Sequence, residues 1–330
     1  MSLGLAILGA GRIGQVHASA ISRTKGAKLV AISDPFEDAA KAVQAEYGCD
    51  IRTISEIESS DDVDGVLICT PTDTHADLIE RFVRVKKAVF CEKPIDLNVD
   101  RVRECLSVVD ECNGTLMVGF NRRFDPDFQA LKSAIDAGKI GSVEMVTITS
   151  RDPGPPPYEY IERSGGIFRD MTIHDFDIAR WLLDEPVTSV TAVGSVLVDS
   201  EIGKRGDFDS VNVILRTAAG KQCVITNSRR AAYGYDQRIE VLGSDGAVAV
   251  ENVFESRVEV SNSDGFHRPP LENFFLTRYM DAYEAEISAF VRAVSEGATV
   301  PTTGDDGLQS LRLADAALQS AASSQTVHLD

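Results

Sequence analysis

The stretch GGIFRDMTIHDFDIARW, residues 165 to 181, sets an acid, a histidine and a second acid at Asp170, His174 and Asp177. At about 100° per residue, a helix would gather all three into one narrow stripe. Met171, Ile178 and Leu182 fall to one side, with Phe168, Thr172, Ala179 and Leu183 behind; only Arg169 and Arg180 mark an outward edge. A helix this apolar is expected to be buried, and buried acids need partners. Imidazole has the intrinsic pKa to take a proton from an alcohol near neutral pH, and a carboxylate one turn away can favour the imidazolium. The same stripe could instead be a hydrogen-bonded structural pair. A metal site is not expected, because His17, His75 and His267 stand in unrelated contexts and complete no ligand cluster.

A second chemical signal lies at the start of the chain. LGLAILGAGRIGQVHASAISRT has Gly9-x-Gly11-x-x-Gly14 between an apolar strand and a helical pattern. Gly9 permits the tight turn, Gly11 lets backbone approach a pyrophosphate, and Gly14 lets helix pack close on strand. The helix that follows offers its N–H groups and positive dipole end to that pyrophosphate, and Arg12 and Ile13 of the loop are counted with the cofactor site. The run AKLVAISD then ends in Asp34, roughly 20 residues beyond the loop, where a ribose-binding acid belongs. Asp34 is also a turn residue before Pro35. An acid there repels a 2′-phosphate, so NAD is expected over NADP. Arg12 could meet an adenosine phosphate, face the diphosphate or stack on adenine.

These residues need a scaffold. Strand-like runs at DVDGVLICTP, KKAVFCEKP and TLMVGFNRRF alternate with helical runs at THADLIERFVRV and NVDRVRECLSVVDEC, predicting a doubly wound parallel sheet over residues 1–120, with ligands at the strand carboxyl ends. Two of those ends are chemically loaded. One is Thr70-Pro71-Thr72-Asp73-Thr74-His75 and the other is Glu92-Lys93-Pro94. Residues 121–330 read differently. The runs SVEMVTITSRD, VTSVTAVGSVLVD, DSVNVILRTAAGKQCVITNSRRA, QRIEVLGSDGAVAVEN and SRVEVSNSDG predict an α+β domain with a large, mostly antiparallel open sheet. Its helices are the Asp170–His174 segment and two in the C-terminal stretch. One helix layer covers one sheet face, so a second subunit is expected on the other, as a dimer or tetramer.

Composition excludes some partners. The formal charge of −18 argues against nucleic acid and an anionic membrane surface, since no basic field exists to displace counterions. Six cysteines show no paired metal-ligand spacing, and no run approaches a membrane span, so a reduced, cytoplasmic setting is expected.

The words GAGRIG (9–14), CTPTDTH (69–75), CEKP (91–94), VGFNRRFDP (118–126) and GGIFRDMTIHDFDIARWLL (165–183) resemble the Gfo/Idh/MocA family of sugar and polyol oxidoreductases over essentially the whole chain. With SRDPGPPPYEY (150–160), the last two resemble its inositol-dehydrogenase branch. The resemblance implies NAD-dependent oxidation of a cyclic polyol, with myo-inositol going to its 2-keto form. Another inositol isomer or an aldose is the nearer alternative, and a non-catalytic NAD-binding regulatory protein the more distant one. It implies Lys93, Asp170 and His174 as catalytic residues, and further substrate contacts at Arg122, Asp152, Asp177 and a tyrosine, Tyr233 or Tyr235. Thr70, Pro71, Thr72, His75 and Glu92 would join the glycine loop around the cofactor, and the bond before Pro94 would be cis. Asp170 could support His174 or pair with Lys93, whose ammonium would stabilise negative charge on the substrate oxygen.

Overall fold

The computed structural model describes residues 2–329, which fall into two compact units. The first comprises the chain up to Asp125 together with Met280–Leu311. Its strands are β1 (Leu3–Leu8), β2 (Ala27–Ser33), β3 (Asp50–Ile51), β4 (Gly65–Ile68), β5 (Ala88–Glu92) and β6 (Leu116–Gly119). They form one parallel sheet in the order β3-β2-β1-β4-β5-β6. Both faces are covered by helices, which is why the strands read as unbroken apolar runs. The order reverses between β1 and β4, where Leu8 lies opposite Ile68. The glycine loop and the Cys69–His75 loop therefore leave the sheet side by side, at the switch point where such sheets bind ligands.

The sequence expectation of one cut after residue 120 is corrected at the far end of the chain. The Met280–Glu296 helix packs on the Arg12–Arg23 helix, and Ala282, Tyr283, Ile287 and Phe290 are buried there. The rings of Phe290 and Phe90 lie 5.9 Å apart in an edge contact. A helical period shows that one face is buried, but it does not name the surface that buries it.

The second unit comprises Pro126–Tyr279 and the chain from Arg312 on. Its strands are β7 (Val143–Arg151), β8 (Val187–Ser195), β9 (Ser210–Thr217), β10 (Gln222–Ser228), β11 (Asp236–Gly243), β12 (Gly246–Val250), β13 (Val260–Asn262), β14 (Gly265–His267) and β15 (Val327–His328). Seven of them form a mixed sheet in the order β12-β11-β7-β10-β9-β8-β15. Only the β7–β10 pair is parallel, and turns at AAGK and SDGA join β9 to β10 and β11 to β12. Strand β9 alternates, with Val211, Val213 and Leu215 buried and Asn212, Ile214 and Arg216 exposed. The buried side of the sheet shares one core with Phe176, Ile178, Ala179 and Leu183 of the Thr172–Leu183 helix, which packs on β7 and β10. SRVEVSNSDG was expected in this sheet. It instead contributes β13 to a separate hairpin with β14, because alternation indicates a strand but not its neighbour. Among the described residues, no helix is long and apolar enough to cross a membrane.

Candidate active site

In the first unit the cofactor candidates gather at the carboxyl ends of β1, β2, β4 and β5. Gly9 has φ +99°, and a Cβ there would lie 2.6 Å from the Cys69 carbonyl oxygen. At Gly14 a Cβ would lie 2.0 Å from the Gly9 carbonyl oxygen. Gly11 differs, since a Cβ there would meet nothing within 4 Å. Two of the glycines thus answer the protein's own packing, while the third leaves only an open approach to backbone. Gly11 also caps the Arg12–Arg23 helix with no side-chain hydrogen bond, and the first turn holds no acid. Uncapped N–H groups beside an open backbone suit a pyrophosphate. Arg12 is exposed at that helix start and Ile13 is half-buried.

Asp34 is tied into this cradle. One oxygen accepts from Ala10 N at 2.6 Å and the other from Phe36 N at 2.7 Å. The acid therefore braces the glycine loop, and each oxygen keeps a second lone pair with which to accept a ribose hydroxyl. In the next loop, Thr70 Oγ1 and Thr74 Oγ1 lie 2.6 Å apart, and Thr74 Oγ1 donates to the carbonyl of Pro71. Thr72 opens the short turn between them. His75 is buried with its two ring nitrogens 2.8 Å from the carbonyls of Thr70 and Pro94. Burial holds its pKa below the ordinary histidine value. The neutral ring can donate to only one of those carbonyls at a time. His75 thus links the β4 loop to the Lys93–Pro94 segment, whose peptide bond is cis, as the family resemblance implied.

Glu92 is nearly buried, and its Oε1 lies 2.6 Å from Nε2 of His17. His17 is fully buried, edge-on to Phe90 and Tyr283, and so serves packing and holds Glu92. Lys93 is half-buried just beyond β5. Arg122, in the turn Asn121–Phe124 after β6, is buried in the same unit. The neighbouring thiols of Cys69 and Cys91 are pushed well up by burial and are poor nucleophiles.

The second unit holds Asp152, Asp170, His174, Asp177 and Tyr233. The single helix expected through Asp170 and His174 is corrected. A short helix, Ile167–Asp170, is followed by Met171 and then by Thr172–Leu183. Gly166 starts the short helix at φ +84°, and a Cβ there would lie 2.7 Å from Asp207 Oδ1. That oxygen accepts from Ile167 N at 2.9 Å, so the break is built around a side chain that spacing alone could not indicate. Asp170 Oδ1 accepts from Tyr160 Oη at 2.7 Å, and its Oδ2 accepts from Arg229 Nη1 at 3.3 Å. His174 is half-buried and Asp177 is buried.

Sequence reasoning missed Asp175, which is fully buried and accepts from Asn227 Nδ2 at 2.7 Å. Asn227 also accepts from Thr172 Oγ1. This network fixes the helix beside His174. Asp152 extends the pairing of β7 and β10 just beyond their ends, through backbone bonds with Ser228 and Ala231. The Tyr233 hydroxyl donates to Asp236 Oδ2 at 2.5 Å and accepts from Arg151 at 2.7 Å. Tyr235 is buried edge-on to Phe274 and Tyr279.

A glycine cradle at a Rossmann switch point and a half-buried acid–histidine segment on a mixed sheet are the two halves of one known architecture. Residues 3–120 match the oxidoreductase family with an NAD-binding Rossmann fold, and residues 128–249 match the GFO/IDH/MocA C-terminal domain. The chain belongs to the Gfo/Idh/MocA oxidoreductase family. It is an NAD-dependent oxidoreductase acting on CH–OH donors. It is 60% identical over 329 residues to the inositol 2-dehydrogenase of Rhizobium meliloti (strain 1021), covering 100% of both chains. It is 44% identical to the myo-inositol 2-dehydrogenase of Thermotoga maritima, over 99% of this chain and 98% of that one. The structure of scyllo-inositol dehydrogenase from Lactobacillus casei, with bound NAD(H) and scyllo-inositol, superposes with a TM-score of 0.93 at 28% identity, covering 99% of each chain.

Proposed function

We propose that this oxidoreductase converts myo-inositol to its 2-keto form with formation of NADH. The observation that carries this reading is the Asp170–His174 segment, held by Tyr160, Arg229 and Asn227, in a chain 60% identical to an inositol 2-dehydrogenase. An alcohol gives up hydride only as its hydroxyl proton is removed. His174 takes that proton, and Asp170 favours the imidazolium that forms. Lys93 stabilises the negative charge developing on the substrate oxygen. Asp177, with Arg122 and Asp152, meets the remaining ring hydroxyls, which a polyol presents in number. NAD, when bound, accepts the hydride.

The Tyr233 hydroxyl, engaged by Asp236 and Arg151, is the weakest of the substrate contacts in this reading. The likeness to the scyllo-inositol enzyme supports a second reading, another inositol isomer as preferred substrate. Rates of NADH formation across inositols and aldoses, with NAD and NADP compared, separate the two. Myo-inositol with NAD should give the highest kcat/KM, and Asp34 should disfavour NADP strongly. An aldose or scyllo-inositol ranking first would overturn the substrate assignment. Comparable efficiency with NADP would overturn the role given to Asp34.

The outer face of the mixed sheet exposes Met145, Val193, Ile214 and Leu242, at 43, 62, 49 and 42%. Apolar groups on an uncovered face support a homo-oligomer through that sheet, tested by light scattering of the purified protein.

A further inference from the structure

Arg229 directly follows β10 and is among the largest fully buried side chains of the molecule, at 1% exposure. Its Nη1 donates to Asp170 Oδ2 and its Nη2 to Asp207 Oδ2, both at 3.3 Å. Its Nε is buried with no hydrogen-bond partner. One buried cation is thus shared between two carboxylates. An apolar residue would fill such a space at lower cost, so a buried guanidinium is weak evidence of a stabilising role. Asp207 has a second task, accepting from Ile167 N through Oδ1. The short helix Ile167–Asp170 is therefore held at both ends by one carboxylate, directly at Ile167 and through Arg229 at Asp170.

We propose that Arg229 is a positioning residue for Asp170, its guanidinium holding that carboxylate in place for its role toward His174. This rests on the catalytic reading of Asp170 and His174 given above. The surrounding charges leave Arg229 this task. The Asp209 carboxylate is turned to the N–H groups of Leu197, Val198 and Asp199, and Arg169 pairs with Asp315. Asp175 is bonded to Asn227, and Arg230 donates to the Val198 carbonyl. Tyr160 completes the setting of Asp170 from the Tyr158–Ser164 helix, and Asp177 follows one turn after His174.

The test is the pH dependence of kcat/KM for polyol oxidation by the full-length enzyme. Arg229→Gln removes a positive charge from the setting of His174 and so makes its imidazole easier to protonate. The acid limb should move up by about one pH unit and kcat should fall about tenfold, with KM for NAD unchanged. Arg229→Lys keeps the charge and should return the limb most of the way. Asp207→Asn keeps the acceptor for Ile167 N but removes a negative charge, so the limb should move the other way, to lower pH. If Arg229→Gln does not fold, Asp207→Asn decides alone, and an unmoved or raised limb there defeats the inference. A purely structural role predicts lowered thermal stability with an unshifted profile in every variant. Failure of the underlying reading looks different, since His174→Ala would then turn over at nearly the parent rate whatever Arg229 does.

Discussion

The glycine loop and the Asp170–His174 segment meet their expected ligands in opposite ways. The glycine loop works with backbone, offering N–H groups at a helix start and an open approach at Gly11. The Asp170–His174 segment offers side chains, and partners far along the chain hold Asp170 and its neighbour Asp175. Arg229 lies 59 residues from Asp170, and Asn227 lies 52 residues from Asp175. A backbone site is specified by local spacing, whereas a side-chain site is specified by what the fold brings against it. The first tolerates change wherever the backbone path survives. The second is sensitive to distant substitutions.

Removing Lys93 or the Asp170 carboxylate should produce the largest effects. Lys93→Ala and Asp170→Asn should each lower kcat by about 10²–10⁴, measured as NADH formation at saturating NAD and myo-inositol. A rise in KM with kcat unchanged would reduce either residue to a binding contact.

The glycines divide the comparison more finely. Gly14→Ala drives a Cβ against the Gly9 carbonyl and should cost about 1–3 kcal/mol of stability in denaturant unfolding. Gly11→Ala meets no protein atom within 4 Å and should unfold within about 1 kcal/mol of the parent. Its NAD dissociation constant should nevertheless rise about tenfold, equivalent to about 1.4 kcal/mol. Equal stability losses in the two variants would erase the distinction between packing glycine and cofactor glycine.

The smallest expected effect concerns Asp236, fully buried beneath Tyr233. Burial would raise its pKa, but donors from Arg238, Tyr233 and Asn252 outweigh it and hold the carboxyl below its ordinary value. A depressed carboxyl adds stability above the unfolded-state pKa and loses it as pH falls through the folded one. Asp236→Asn should therefore lower Tm most at neutral pH, by an amount equivalent to about 1–2 kcal/mol. The gap to the parent should close in acid below the usual carboxylate range. A gap that is constant with pH would show that shape matters there, not charge.

The same contrast explains how much could be read before the fold was known. The strands of the first unit, its switch point and the loops at Thr70 and Lys93 follow from short-range pattern, and the sheet order agrees. The chain's return through Met280–Glu296 does not, because a buried helical face carries no address. The break at Met171 and the clamp through Asp207 and Arg229 were hidden for a related reason. A buried arginine after a strand reads like any other polar residue at a strand end, and only tertiary contact shows that it faces two acids. His174 and Asp177 were visible because their helix is otherwise so apolar. Asp175 was lost within the same run, since its partner Asn227 lies on another strand end.

The proposed reaction turns on proton removal by His174, and the rate of NADH formation by His174→Ala tests this most directly. At saturating NAD and myo-inositol, with the variant shown to be folded and to bind NAD, kcat should fall by about 10²–10⁴. Turnover close to that of the parent enzyme would contradict it.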